Sequence, residues 1–269
     1  MKIDIDFAPH TFDPDVIMNS GQVFRFEKKE NKYIVNSGNH NLRFTYDDLN
    51  SQLHGEGDDE AFWREYFDSD ADYARYNGVI EKSDDKFLKE ALANSLGMRI
   101  LRQDLWETII SYMISQNNNI PKIKKSIGIL IDRYSDAEKF PTAEALANVP
   151  LDELKQGTML GYRAEYISEF SKKVADSEIN IDDFRCDTFQ ESYDKLIAVK
   201  GIGPKVANCI CLYGLHHMSG YPIDTWMKKI IEEDYNNYEQ KEYMNYINES
   251  YSGFQGYVQQ LQFYYKRNQ

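Results

Sequence analysis

The hydrophobic pattern of this chain changes period once, near residue 55, and that change limits the architecture more than any other feature. Residues 1–7, 22–28, 32–38 and 41–47 alternate apolar and polar side chains, with Gly, Asn and Asp between the runs. A period of two marks strands with one wet face. Gly55 and Gly57 read as a break, and beyond them apolar residues recur every three to four positions. Residues 61–68, 85–96, 105–116 and 121–134 read as amphipathic helices. Short helices are expected from Thr142 and Leu151, and a longer one from Arg163 to Val174. Further helices are expected at 188–198, 204–215, 225–235, 239–249 and 256–267. Strands first and helices after predict an α+β chain. We expect a small antiparallel sheet domain over 1–80 and a mainly α-helical domain over 81–269.

Charge is uneven along the chain. The formal net charge of −13 counts by itself against a nucleic-acid partner. Yet residues 47–90 carry 14 acidic and 5 basic side chains, a balance of −9, whereas 95–130 stand at +3 and 195–229 at +4. The two basic stretches suggest one surface for an anionic ligand on an otherwise acidic body. Solvated helix faces would give the same counts. The acidic run is expected to be a solvated face turned away from the ligand.

Residues 199–207, Val-Lys-Gly-Ile-Gly-Pro-Lys-Val-Ala, are the most informative segment. One helix ends near Ala198. Gly201 and Gly203 permit positive φ in a tight helix–helix hairpin. Pro204 suits the first position of the next helix, where its missing N–H costs nothing. The uncapped amides of that helix suit a phosphate oxygen. An ordinary helix connection is the plain alternative.

Lys205 falls on the first turn of this helix. An ammonium there faces the positive end of the helix dipole, which favours the neutral amine, a nucleophile able to form a Schiff base. Asp224 follows Pro222 and precedes a helix, so it is expected to cap that helix as a carboxylate. The intervening helix is about 18 Å long, and the seven residues 216–222 reach at most about 25 Å. The chain can therefore bring Asp224 back beside Lys205. A solvated lysine and a plain N-cap are the structural alternatives.

The hairpin and the run Gly220-Tyr-Pro-Ile-Asp224 resemble the helix-hairpin-helix and the Gly/Pro-rich loop with its Asp that mark the helix-hairpin-helix-GPD DNA glycosylase superfamily. More narrowly, the chain is similar to the 8-oxoguanine DNA glycosylase/abasic-site lyases. The resemblance rests on residues 21–26, 99–104, 116–120, 160–164, 199–212, 222–224 and 256–263, in the order the family has them. It implies a two-lobed helical glycosylase domain and excision of 8-oxoguanine from duplex DNA. Lys205 would attack the deoxyribose C1′ and leave an imine, and β-elimination would nick the strand. Asp224 would steady the sugar cation.

Such an enzyme extrudes its target base. The resemblance implies that Phe263 and Cys209 sandwich it and that Gln259 bonds its Watson–Crick edge. Gln259 and Phe263 are spaced i, i+4, so they share a helix face. Gly21 would offer its carbonyl to the N7–H that distinguishes 8-oxoguanine from guanine. Asn117 would enter the vacated space, and Tyr162 with Arg163 would act as wedge and partner at the opposite strand. Gly201 and Gly203 would meet the DNA backbone. A core Phe, an exposed Gln, a buried Cys, a turn Gly and a capping Asn are the bland readings of the same residues. Lys122 stands where animal and fungal relatives usually have an Arg reading the opposite cytosine, and lysine lacks its planar fork. Trp226 replaces a His that contacts phosphate in those relatives, so no phosphate role is carried to it.

The iron–sulfur branch of the superfamily needs four spaced cysteines; this chain has three, Cys186, Cys209 and Cys211. Zinc spacing is absent, and His216 and His217 read as a helix-end or solvated pair. No metal or cofactor is expected, apart from a possible monovalent cation at the carbonyls of the hairpin. The odd, sparse cysteines, a first segment without signal-peptide or transit character, and the lack of a long apolar run point to a cytoplasmic monomer, nucleoid-associated if bacterial. Two rivals stay open: a glycosylase of the same fold for alkylated purines, whose members usually lack the hairpin lysine, and a non-enzymatic DNA-binding module.

Overall fold

The computed structural model describes residues 1–136 and 138–269. Five strands, β1 (Lys2–Asp6), β2 (Phe26–Lys29), β3 (Lys32–Ser37), β4 (His40–Asp47) and β5 (Gln52–Gly57), form one antiparallel sheet in the order β1-β5-β4-β3-β2. The alternation places Ile3, Ile5, Tyr33, Val35, Leu42 and Phe44 on the buried face. The break expected at Gly55 and Gly57 is instead the end of a strand. A methyl at Gly55 would lie 2.6 Å from the Arg43 carbonyl, and one at Gly57 2.7 Å from Ile3 Cδ1, so glycine lets neighbouring strands approach closely.

The strand expected over 22–28 begins only at Phe26. Before it, the fully buried Gln22 side chain donates to the Arg99 carbonyl (2.8 Å) and accepts from the Leu101 N–H (2.9 Å). These bonds pin the 20–22 segment to the helical part and leave it irregular.

The described helices are α1 (Pro14–Met18), α2 (Glu60–Tyr66), α3 (Tyr73–Lys82), α4 (Lys86–Ala93), α5 (Leu105–Ser115), α6 (Ile120–Tyr134) and α7 (Ala143–Ala147). They continue as α8 (Leu151–Gly157), α9 (Arg163–Ala175), α10 (Phe189–Ile197), α11 (Pro204–Tyr213), α12 (Thr225–Glu233), α13 (Gln240–Ser250) and α14 (Gln255–Asn268). The sheet packs on α2 around Phe12, Phe26, Phe44, Trp63 and Phe67. A second core, from Tyr73 to Leu261, joins the other helices. Within it α3, α4, α12, α13 and α14 pack on one another, and α5 to α11 form the other group. No described helix is long and apolar enough to cross a membrane.

Several charges read as surface turn out to be internal. Arg99 is 1% exposed: its Nε donates to the Thr11 carbonyl (2.7 Å), and its guanidinium lies 4.4 Å from the Tyr73 ring centroid. Arg102 stays at the surface, and there it pairs with the buried Asp68 at 2.8 Å. The basic stretch 95–130 thus loses Arg99 to the interior, and the exposed Arg102 is matched by a carboxylate. The acidic stretch likewise contains buried members, Asp68 and Asp85. Asp85 accepts from Tyr235 and Tyr246 of the α12–α13 region. His216 is not a solvated cap but sits 3.2 Å from Asp68, and His217 bonds the Ser192 hydroxyl at 2.9 Å.

Burial pushes the Asp68 carboxyl up, but His216 and Arg102 outweigh it and bring it to about 2. Its unfolded value is near 3.8. Its contribution is therefore complete above that value and is lost as pH falls through about 2. By linkage it stabilises the fold by roughly 2 kcal/mol at neutral pH. The variant Asp68→Asn is expected to be about 2 to 4 kcal/mol less stable at pH 7. Urea midpoints at pH 7, 5, 4 and 3 check this: the gap to the unaltered protein should narrow toward pH 3, and a constant gap contradicts it.

Candidate active site

The hairpin between α10 and α11 is closed by Val199 N–H to the Leu196 carbonyl and Ile202 N–H to the Val199 carbonyl, both 3.0 Å. Gly201 takes φ +91°, and a methyl there would lie 2.6 Å from Tyr166 Cγ, so glycine is required twice over. Its carbonyl accepts from Gln116 Nε2 at 2.9 Å, which ties the hairpin to the loop after α5. Gly203 differs from expectation. As N-cap of α11 it is extended, with φ −92°. Neither its backbone nor its protein neighbours demand glycine there: nothing lies within 4 Å of an added methyl, and no side chain caps the first turn.

After α11 the chain returns through three short-range contacts. His217 N–H bonds the Cys211 carbonyl (2.8 Å), Gly220 N–H bonds the His217 carbonyl (2.8 Å), and Tyr221 N–H bonds Asn208 Oδ1 on α11 (3.1 Å). This folds residues 221–224 back along the helix they follow. Lys205, Asp224 and Asn117 consequently line one cleft of about 510 Å³, between the two helix groups.

Within the cleft Asp224 caps α12. Its Oδ1 accepts from Trp226 N–H (3.0 Å) and Met227 N–H (2.9 Å). One oxygen holds the helix, and among the described residues Oδ2 takes no hydrogen bond. Lys205 has no carboxylate within ion-pair distance among the described residues. Its Nζ lies 5.3 Å above the Tyr112 ring, a buried floor whose hydroxyl bonds the Gln22 carbonyl (3.1 Å). Cys209, one turn beyond Lys205, is 3% exposed. Burial pushes its thiol up; Lys205 opposes that and Asp224 adds to it, so both charges reach the same sulfur.

A second cluster gathers Gly21 and Phe263. Gly21 has φ +83°, and a methyl on it would meet Arg267 Nη1 at 2.8 Å and Phe263 Cε1 at 3.2 Å. The following peptide is fixed because Gln22 O accepts from both Tyr112 and Gln103. Gln259, one turn before Phe263 on α14, is 3% exposed, and its Oε1 is buried without a partner among the described residues. A buried amide oxygen left unpaired is costly unless something arrives to complete it.

Asn117 is exposed with φ +45°. Tyr162 is 50% exposed beside Gly161. Arg163 is placed otherwise than expected. It is 8% exposed, and its guanidinium donates to the carbonyls of Gln116, Asn117 and Leu160. These bonds hold the Asn117 loop while the guanidinium stacks under Tyr162 (4.6 Å), so in this structure it buttresses that loop. Lys122 is exposed, its N–H bonded to Asn119 Oδ1 (3.1 Å).

Lys228 also lines the cleft and had not been singled out. Its spacing i+4 from Asp224 carries the signal, since both fall on one face of α12. Tyr112 was hidden inside an apolar run. Among the described residues no cluster of three or more His, Cys, Asp or Glu could hold a metal ion.

Two family models match the chain. One, 8-oxoguanine DNA glycosylase, N-terminal domain, covers residues 4–109. The other, HhH-GPD superfamily base excision DNA repair protein, covers residues 110–252. The chain is 30% identical to the N-glycosylase/DNA lyase of Saccharomyces cerevisiae over 196 residues, 66% of this chain and 51% of that protein. It spans about half the length of the first curated relatives it matches. The structure of MBOgg1 in complex with a low-affinity DNA ligand superimposes with a TM-score of 0.90 at 30% identity, covering 99% of this chain and 96% of that one. The Clostridium acetobutylicum 8-oxoguanine glycosylase/lyase, in complex with dsDNA containing cytosine opposite 8-oxoG, gives 0.85 at 29% identity, covering 96% and 92%.

Proposed function

The chain belongs to the HhH-GPD superfamily of base excision DNA repair proteins, and on that premise we propose that it excises 8-oxoguanine from duplex DNA and nicks the abasic site it makes. The observation that carries this reading is the meeting of Lys205 and Asp224 in one cleft, with Asn117 on its rim. The uncapped first turn of α11, with open space at Gly203, receives a phosphate of the damaged strand. Asn117 fills the gap left by the flipped nucleotide, and Tyr162 wedges the opposite strand. The base enters between Phe263 and Cys209. Gln259 Oε1 accepts from its Watson–Crick edge, and the Gly21 carbonyl accepts its N7–H.

Lys205 Nζ then bonds to C1′ while the bond from C1′ to the base nitrogen breaks. The base leaves with that electron pair and takes a proton. The free oxygen of Asp224 faces the positive charge that grows on the sugar in this step. The adduct opens to an imine. Loss of a C2′ proton expels the 3′-phosphate, and hydrolysis of the imine releases Lys205. The carbonyls of the hairpin remain a proposed seat for a monovalent cation, with no step assigned to it. Three free cysteines support a reducing, cytoplasmic setting.

Strand nicking on duplexes carrying 8-oxoguanine opposite each of the four bases, and on a duplex carrying an alkylated purine, tests the reading. Excision of 8-oxoguanine is expected. With an exposed Lys122 in place of a planar fork, rates across the four opposite bases should lie within about tenfold. A strict requirement for cytosine contradicts the role given to Lys122. Cleavage of the alkylated purine alone, or binding with no cleavage of any lesion, overturns the proposed function in favour of its two rivals.

A further inference from the structure

Arg267 is used by none of the steps above, yet it stands at the base slot. It lies four residues beyond Phe263 and eight beyond Gln259, so the three share one face of α14. Its Nη2 donates to the Asn19 carbonyl, and its guanidinium carbon lies 5.3 Å from the Phe263 ring centroid. These two contacts fix the group in the last turn of the helix, where a cation is favoured. Its Nη1 is buried without a hydrogen-bond partner among the described residues and rests against Gly21. An unpaired buried donor on a charged group is expensive, and here it is held rigidly beside the backbone that the proposed function assigns to recognition.

We propose that Arg267 reads the oxidised purine, donating from Nη1 to the C8 carbonyl oxygen beside N7–H, the oxygen that oxidation adds. This rests on the reading of Gly21 given above. An acceptor at Gly21 beside a donor at Arg267 matches an N–H flanked by C=O. 8-Oxoguanine presents N7–H beside C8=O, whereas guanine presents an N7 acceptor beside C8–H. The donor and acceptor together make the pocket's complement to the lesion, with Phe263 as the platform under both the guanidinium and the incoming ring.

The test compares single-turnover excision of 8-oxoguanine with nicking of a preformed abasic site, which has no base to read. Arg267→Met is expected to slow excision about 10- to 100-fold, the size of one charge-assisted hydrogen bond, and to leave abasic nicking within about twofold. Arg267→Lys should recover part of the loss. Excision unchanged in Arg267→Met overturns the inference, and so does an equal fall in both reactions, which would make the residue merely structural. If the unaltered protein nicks abasic sites but never excises 8-oxoguanine, the proposed function falls and this inference with it.

Discussion

Replacing Lys205 by Gln is expected to lower both base excision and strand nicking by at least about a thousandfold and to abolish any covalent complex with DNA. Glutamine keeps a polar side chain only one atom shorter but has no amine to form an imine. The fold should survive. Lys205 makes no ion pair among the described residues, its side chain is only partly buried, and the hairpin is held by backbone bonds and by Gln116. Changes of this kind usually alter stability by no more than about 1 kcal/mol. The melting temperature should therefore stay within a few degrees while single-turnover excision collapses. A variant that folds, excises and traps as before would remove Lys205 from the chemistry.

Asp224→Asn should separate the two tasks of that residue. Asparagine caps helices about as well as aspartate, so the bonds to Trp226 and Met227 can persist. The negative charge proposed to face the sugar is lost, and an electrostatic contribution of this type is worth about a hundredfold or more in rate. Excision by Asp224→Asn should fall by that factor at nearly unchanged stability. Asp224→Ala should lose the same activity and about 1 kcal/mol in addition. Full activity in Asp224→Asn would reduce the residue to a helix cap. Denaturation curves and excision rates on the same preparations distinguish the cases.

How far the sequence could be read depended on how local the determinants are. The hairpin is written in a few adjacent residues: Gly201 in the left-handed region, Pro204 at the first turn, Lys205 behind it. Asp224 was legible because capping is a property of one residue and the helix it precedes. By contrast α1 and α3 were not anticipated. In α3 the buried positions are Tyr73, Asn77 and Ile80, a helical spacing carried partly by polar groups. Asn77 is inside because its Oδ1 accepts from Tyr257 on α14 (2.7 Å), a partner 180 residues away. The fates of Arg99 and Arg163 were hidden for the same reason. Charge counts treat each arginine as surface until distant carbonyls and carboxylates are folded around it. Gly55 and Gly57 misled in the other direction, since glycine punctuates turns and also lets strands crowd together, and only the neighbours Arg43 and Ile3 decide between the two.

The most direct measurement is the site of covalent attachment. The unaltered protein would be incubated with a duplex containing 8-oxoguanine, reduced with borohydride, digested, and the modified peptide sequenced by mass spectrometry. The adduct is expected on the ε-nitrogen of Lys205, in the peptide beginning at the Gly201 hairpin. An adduct on another lysine of the cleft such as Lys228, or excision with no adduct at all, would contradict it.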